Sequence, residues 1–219
     1  MAPGPLDFLG APTPALRALV AHYQRVLPAT DFERLLAHLR ERAQEYAAEL
    51  GRLPPGAERA RACHRLLDRA LESSHRPVTS CGAGCSACCH LEVEVTSDEG
   101  ALLAERVRNG QAVDRDHLGR QAARARQSSE WASLVAPQNR CVFLTRVDTC
   151  GIYPDRPSGC RKHLVSSPSA RCGSPGGRLE PITVPLAELV TSVALALPQN
   201  SYGSLPKLLD ARLGPRIKG

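Results

Sequence analysis

The chain has 219 residues, of which 42% are hydrophobic and 23% are charged. These values are typical of a soluble globular protein of one or two domains, and they exclude fibrous and disordered chains. Only 4% of the residues are aromatic, so the core must consist mainly of aliphatic side chains. The formal net charge of +6 raises the question of an anionic partner. The basic residues are spread among acidic ones, as on solvated helix faces, so nucleic acid is not the expected partner.

Three amphipathic helices are predicted in an N-terminal helical region, residues 1–78. Apolar residues recur there at helical spacing in three stretches: 16–27, 32–50 and 60–71. Thr13 is the predicted N-cap of the first helix, and Thr30 with Glu33 predicts a capping box for the second. Cys63 lies on the apolar stripe of the third helix. We therefore expect it to be a small buried hydrophobic residue and not a metal ligand.

A cysteine knuckle follows, from Cys81 to His90, with the sequence Cys-Gly-Ala-Gly-Cys-Ser-Ala-Cys-Cys-His. Its small spacers allow several sulfurs to turn toward one point, where a soft metal ion or an iron–sulfur cluster could bind. Four more cysteines occur downstream in a segment rich in glycine and proline. The sequence therefore predicts a metal site with eight cysteine ligands: Cys81, Cys85, Cys88, Cys89, Cys141, Cys150, Cys160 and Cys172.

Metal ligation is favoured over a disulfide framework. The chain has nine cysteines, an odd number, and the adjacent residues Cys88 and Cys89 do not readily bridge to each other. The N-terminal sequence shows no secretory signal, and no apolar run approaches the length of a membrane span. The expected location is the cytoplasm, where thiols stay reduced, and no membrane partner is expected.

A helical insertion, residues 97–136, is predicted between the two halves of the metal site. The alternating sequence at 91–95 predicts a short strand before it. Thr96 with Glu99 predicts a capping box at the start of the first inserted helix. A longer helix is predicted over 114–135, with four inward apolar residues: Leu118, Ala122, Trp131 and Leu134.

The second half of the predicted site is irregular. Residues 141–153 are predicted to form a short β-hairpin with a cysteine near the start of each strand. Prolines and glycines interrupt the following stretch, which contains Cys160 and Cys172. The cysteine-cluster metal-binding domain is assigned to 79–182, and C-terminal helices that pack on the rest are assigned to 183–219. The predicted fold class is mainly α, with a small, irregular cysteine-rich metal-binding region that contains a short β-hairpin.

Three motifs in this region carry a family resemblance. They are Cys-x3-Cys-x2-Cys-Cys over 81–89, Cys-x-Phe-Leu from Cys141, and Cys-x-Ile-Tyr-x-x-Arg-Pro-x-x-Cys-Arg over 150–161. Together they resemble the YkgJ-type cysteine-cluster family, whose members are described as zinc- or iron-chelating. The flagellin lysine N-methylases look like distant members that share mainly the knuckle. The likeness covers about 79–175, and it implies metal binding with no agreed biochemical activity.

Arg156 and Arg161 are candidate cofactor-binding residues, because guanidinium groups can donate hydrogen bonds to thiolates of net negative charge. A surface ion pair is the alternative for each. Four apolar residues are expected to form a lid over the site: Phe143, Leu144, Ile152 and Tyr153. His90 and His163 are further candidate ligands, although a histidine beside a cysteine more often lies outside the ligand set.

Eight thiolates fit two zinc sites of four cysteines each, one [4Fe–4S] cluster with spare ligands, or two clusters. Structural zinc usually has paired Cys-x2-4-Cys knuckles, and only the first half supplies one, so the spacing favours a [4Fe–4S] cluster over zinc. The spacing of Cys81, Cys85 and Cys88 also matches that of radical S-adenosylmethionine enzymes. However, Ala87 stands where those enzymes usually carry an aromatic residue, and no βα alternation follows.

The leading hypothesis is a cytoplasmic metal-binding protein, with an iron–sulfur cluster or zinc, in a redox, metal-handling or accessory role. Its expected partners are the metal ion or cluster and an unidentified protein. Two alternatives stay open. The likeness to flagellin N-methylases suggests methyl transfer to protein lysine, although no glycine-rich S-adenosylmethionine loop is visible, so enzymatic activity is undecided. The sequence pI of about 9.0 suggests a zinc-stabilised nucleic-acid-binding module.

Overall fold

The computed structural model describes residues 4–74, 77–131, 137–173 and 177–215. Within them the protein is mainly helical, which confirms the predicted fold class. The described helices are α1 (Pro14–Val26), α2 (Ala29–Gly51), α3 (Ala57–Ser73), α4 (Ser97–Arg108), α5 (Arg115–Ala122), α6 (Ser158–Lys162), α7 (Pro185–Ala196) and α8 (Leu205–Leu213). The predicted helices of the N-terminal and C-terminal regions are therefore present.

The strands are short and form two antiparallel pairs. Strand β1 (Glu94–Thr96) pairs with β4 (Tyr202–Ser204), and β2 (Leu164–Val165) pairs with β3 (Pro181–Ile182). The hairpin predicted over 141–153 is reduced to a single bridge between Leu144 and Cys150. The β1–β4 pair joins the cysteine-rich region to the C-terminal part of the chain, whereas β2 and β3 both lie within residues 79–182.

Two of the three predicted helix starts are confirmed. The Thr13 hydroxyl accepts a hydrogen bond from the Leu16 amide, and Thr96 forms a complete capping box with Glu99. The box predicted at Thr30 is wrong. The backbone amides of Asp31 and Phe32, in the first turn, donate to the Pro28 carbonyl, so α2 begins at Ala29 and Thr30 already lies inside the helix.

The helix predicted over 114–135 ends at Ala122, although Trp131 is buried as expected. Tertiary contacts replace the helical bonds after this point. The Arg126 guanidinium pairs with the Glu94 carboxylate, and the Gln127 amide donates to the Glu92 carboxylate at 2.8 Å. Gln127 also has a positive φ of 55°. A residue with positive φ cannot continue an α-helix.

Of the inward residues predicted for this helix, Leu134 lies outside the described residues.

The apolar side chains form two cores. The first core joins α1, α2 and α3 with α7, and Cys63 is buried in it as predicted. The second core joins β1, α4, α5 and α8 with residues from 142 to 152. The predicted C-terminal region, 183–219, is therefore divided, because α7 packs on the first core and α8 on the second.

Buried ionic contacts connect the N-terminal helices to the cysteine-rich region. Arg59 Nε of α3 donates to Asp98 Oδ2 of α4 at 2.6 Å, and both side chains are at least nine-tenths buried. His64 Nε2 lies 3.0 Å from Glu99 Oε1. Burial by itself raises the pKa of Glu99, but His64 and the amides of Ser158 and Thr96 lower it to about 2. Glu99 is therefore an anion fixed between α3 and the start of α6.

Among the described residues, no helix combines the length and the apolarity that crossing a membrane requires.

The Arg59→Met variant should lower the free energy of unfolding by about 3–5 kcal/mol, because it leaves the buried Asp98 carboxylate without its cation. Arg69→Met is the matched control, since it breaks an exposed pair with Glu49 and should cost less than about 1 kcal/mol. Urea unfolding of both variants in the metal-loaded state measures the difference. Equal losses in the two variants would contradict the structural role of the buried pair.

Candidate metal centre

The cysteine-rich segment surrounds one small cavity of about 90 Å³. Seven of the eight predicted ligands line it: Cys81, Cys85, Cys88, Cys89, Cys141, Cys150 and Cys160. Apolar side chains close the cavity elsewhere, among them Val93, Phe143, Ile152, Leu164 and Leu205. The structure therefore brings both halves of the predicted site to one place.

The knuckle is shaped by its small residues. Gly84 has a positive φ of 91°, a conformation that glycine adopts without steric cost. The Cys85 amide donates to the Gly82 carbonyl at 3.2 Å, and a 3-10 turn over Ala87–His90 follows. This tight turn of the chain allows four cysteines in nine residues to face the same cavity.

The downstream cysteines reach the cavity from three separate elements. The Cys141 amide donates to the Cys89 carbonyl at 2.7 Å, which ties the two halves of the site together through the backbone. Cys150 lies in the bridge with Leu144, and Cys160 lies on α6. The Val165 amide of β2 donates to the Cys81 sulfur at 3.4 Å, so this thiol is also held from across the site.

Cys172 is placed at the edge. It lies in a 3-10 turn over Ser169–Gly173 that packs against the turn of the knuckle, and it does not line the cavity. Burial raises its pKa, and the neighbouring thiols of Cys85 and Cys81 raise it further. Of the two candidate histidines, His163 lines the cavity and burial lowers its pKa, whereas His90 does not line it.

The two candidate arginines have different positions. Arg156 lines the cavity and stacks on the Tyr153 ring at 4.0 Å from its centroid. Arg161 does not line it. Its guanidinium donates to the Asp68 carboxylate and to the carbonyls of Pro154 and Arg156. The structure thus places only Arg156 where it can face a bound group, while Arg161 fixes the backbone around it.

Three thiols of the cavity differ in the pKa that their surroundings give them. Burial raises the pKa of Cys141 to about 11 and that of Cys160 well above its ordinary value. A hydrogen bond from Cys89 and the charge of Arg156 lower the pKa of Cys88 to about 7. The effect of the hydrogen bond exceeds that of burial, which acts in the opposite direction. A metal ion must therefore displace protons from most of these thiols as it binds. Burial raises the pKa of Cys63 to about 12, as expected of an inert core thiol.

The donor set fits a soft metal or an iron–sulfur cluster, since thiolates are the ligands that both prefer. In the described part of the chain, no group of three or more His, Cys, Asp or Glu side chains is already arranged to hold a metal ion. The thiols surround a space instead of meeting at one point. A water molecule needs only about 10–15 Å³ of such space, so the cavity is larger than a single ion requires.

A second cavity of about 160 Å³ adjoins the first, and Cys88, Cys160 and His163 line both. Glu92 and Glu94 also line this second cavity, and the Glu94 carboxylate pairs with Arg126.

Several residues of the site could not be found from sequence motifs. The cavity walls include Val93, Leu164 and Leu205, which come from strand ends and a helix start in three distant segments. Glu99 was expected only to cap α4, yet it also accepts a hydrogen bond from the Ser158 amide at 2.6 Å. The capping signal located Glu99, but no local pattern indicates its distant partner.

The fold and the cavity define a helical protein with a thiol-lined candidate metal centre. Residues 80–173 match the CxxCxxCC family, which is described as a "Putative zinc- or iron-chelating domain". The resemblance to the YkgJ-type family is confirmed over this segment, which includes all eight predicted ligands and excludes Cys63. The family description names both zinc and iron, so the match supports metal chelation as such. Comparisons with curated proteins and with solved structures gave no match.

Single substitutions should separate the cavity thiols from the core thiol. Cys85→Ser and Cys150→Ser should lose bound metal, because a hydroxyl is a poor ligand for soft ions. Cys63→Ala is the matched control, and it should keep the metal content of the parent while losing about 1 kcal/mol of stability through its packing defect. Metal analysis of the purified variants makes the comparison. Metal loss from Cys63→Ala would place that thiol in the ligand set.

Proposed function

We propose that this protein binds an iron–sulfur cluster, with [4Fe–4S] favoured, at the thiol-lined cavity. The observation that carries the proposal is the convergence of seven cysteines on one space of about 90 Å³. A [4Fe–4S] cluster needs four thiolates arranged around a body of several atoms. Two structural zinc sites would instead need two separate tetrahedral groups of sulfur atoms, each about 2.3 Å from a single point.

The surroundings of the cavity favour a charged inorganic group. A cluster with four thiolate ligands carries net negative charge, and Arg156 places a cation at the wall of the cavity. Phe143 and Ile152 in the cavity wall are buried and cover part of the cavity, and the thiols themselves are half-buried. Low solvent access and a nearby positive charge are two means by which a protein sets the potential of such a group.

The proposed role is redox, metal-handling or accessory. When bound, a cluster supplies one-electron chemistry or a store of iron. The protein's own residues hold the sulfurs, supply a compensating charge and cover part of the cavity. Cysteines beyond the four required offer alternative ligands, which suits a protein that receives or passes on metal.

Protein purified without oxygen should be brown and should contain iron together with acid-labile sulfide. The measurement is elemental analysis combined with sulfide determination and the electron paramagnetic resonance spectrum of the reduced protein. Stoichiometric zinc, with no iron even after anaerobic reconstitution with iron and sulfide, would exclude the cluster and assign paired all-cysteine zinc sites.

Metal removal should loosen the cysteine-rich segment first. Binding to a structural zinc site is associated with about 10–16 kcal/mol of apparent free energy, whereas the net stability of a whole domain is only about 5–15 kcal/mol. In protein from which a chelator has removed the metal, limited proteolysis should therefore cut first between Cys81 and Cys172. The N-terminal helices, which have their own core, should persist longer. If the metal-free protein instead stays uncut in this segment under the same protease, the metal binds a preformed scaffold.

A further inference from the structure

Helix α6 carries Cys160 and has only five residues. A helix this short has no stability of its own, because one turn fixes several dihedral angles for very few hydrogen bonds. Its position, and with it the direction of the Cys160 side chain, must come from contacts with the rest of the protein.

Three residues of α6 supply those contacts, and each reaches a different long helix. The Ser158 amide donates to Glu99 Oε1 of α4 at 2.6 Å. Arg161 Nη1 donates to both carboxylate oxygens of Asp68 on α3 at 2.7 Å. Lys162 Nζ donates to Glu188 Oε2 of α7 at 2.7 Å. The short helix is thus held by three carboxylates, one from each of these helices.

The contacts differ in their exposure to water. The side chains of Arg161 and Glu99 are at least nine-tenths buried, those of Lys162 and Glu188 are 14% and 10% exposed, and that of Asp68 is 44% exposed. Where both partners are mostly buried, as at Glu99 and in the Lys162–Glu188 pair, charge-assisted hydrogen bonds are stronger and less screened by salt than surface ion pairs. They can therefore fix a backbone segment that has no core of its own.

Two of the three carboxylates, Glu99 and Glu188, are themselves held in place. Glu99 lies 3.0 Å from His64 Nε2 and accepts the Thr96 amide at 2.8 Å. Glu188 also accepts the Thr13 hydroxyl, at the start of α1, at 2.9 Å. The contacts of α6 therefore extend into the N-terminal helices and α7, which lie outside the matched segment 80–173.

We propose that Asp68 and Glu188 are positioning residues for the metal centre, acting through α6 on Cys160. This inference rests on the proposed function, with Cys160 as a ligand. Its consequence is that the N-terminal helices and α7 complete the metal site, although they contribute no thiol to the cavity.

The test uses full-length protein reconstituted without oxygen with iron and sulfide, and cobalt(II) as a second probe. The variants are Asp68→Asn, Glu188→Gln and the pair combined. Glu49→Gln is the matched control, since it removes an exposed carboxylate that pairs with Arg69 between α2 and α3. Release of iron or cobalt to a chelator should be accelerated about 10-fold or more in the positioning variants, as is usual when groups that orient metal ligands are lost. The control should release metal at the rate of the parent.

A readout specific to the metal separates positioning from general destabilisation. The thiolate-to-cobalt absorption bands should shift in the positioning variants and stay unchanged in the control, with circular dichroism confirming the folded state of each. Asp68→Glu, which keeps the negative charge, should restore part of the slow release. In a Cys160→Ser background, Asp68→Asn should add no further acceleration, because both changes then act on the same lost bond.

The outcomes are distinct. If Asp68→Asn and Glu188→Gln release metal like Glu49→Gln while Cys160→Ser is impaired, the positioning role is wrong and the metal centre stands. If Cys160→Ser keeps the metal and spectrum of the parent, Cys160 is not a ligand and the positioning role is wrong. If the parent takes up neither iron with sulfide nor cobalt, the proposed function itself is wrong, and this inference is wrong with it.

Discussion

The convergence of seven thiols on one cavity is the constraint on which the cysteine-rich half of this protein depends. Thiolates that are close together repel one another and are poorly solvated, so burial raises the pKa of Cys141 and Cys160 and favours their protonated form. A bound metal would reverse this preference, because its positive charge stabilises thiolates. The backbone hydrogen bond from the Cys141 amide to the Cys89 carbonyl joins the two halves of the site without any metal.

The rest of the fold supports this cavity from outside. The first core gathers α1, α2, α3 and α7 into a helical layer, and the second core gathers α4, α5 and α8 around β1. Cys141 and Cys150 pack against the second core, so two of the thiols are attached to a region with apolar stability of its own. The other predicted ligands lie in turns and in the short helix α6. Glycine conformations and hydrogen bonds shape the turns, and carboxylates of neighbouring helices hold α6.

Buried charges form the contacts between the layers. The Arg59–Asp98 pair connects α3 to α4, and Glu99 connects His64 on α3 to the first turn of α6. Such pairs add little net stability relative to apolar packing, but they are costly to break and they specify one relative arrangement of the elements they join. That property suits a metal site, where sulfur positions must be correct to a fraction of an ångström.

The sequence by itself determined the long amphipathic helices, the capping box at Thr96, the buried state of Cys63 and the grouping of the cysteines into one family motif. These features depend on neighbours within a few residues, or on side-chain chemistry that a motif records directly. Only the tertiary structure decided that α5 ends at Ala122, that Arg161 binds Asp68, and that α7 and α8 belong to different cores. The reason is physical. Long-range ion pairs and strand pairings join residues that are far apart in sequence, in one case by more than a hundred positions, and no local periodicity encodes them.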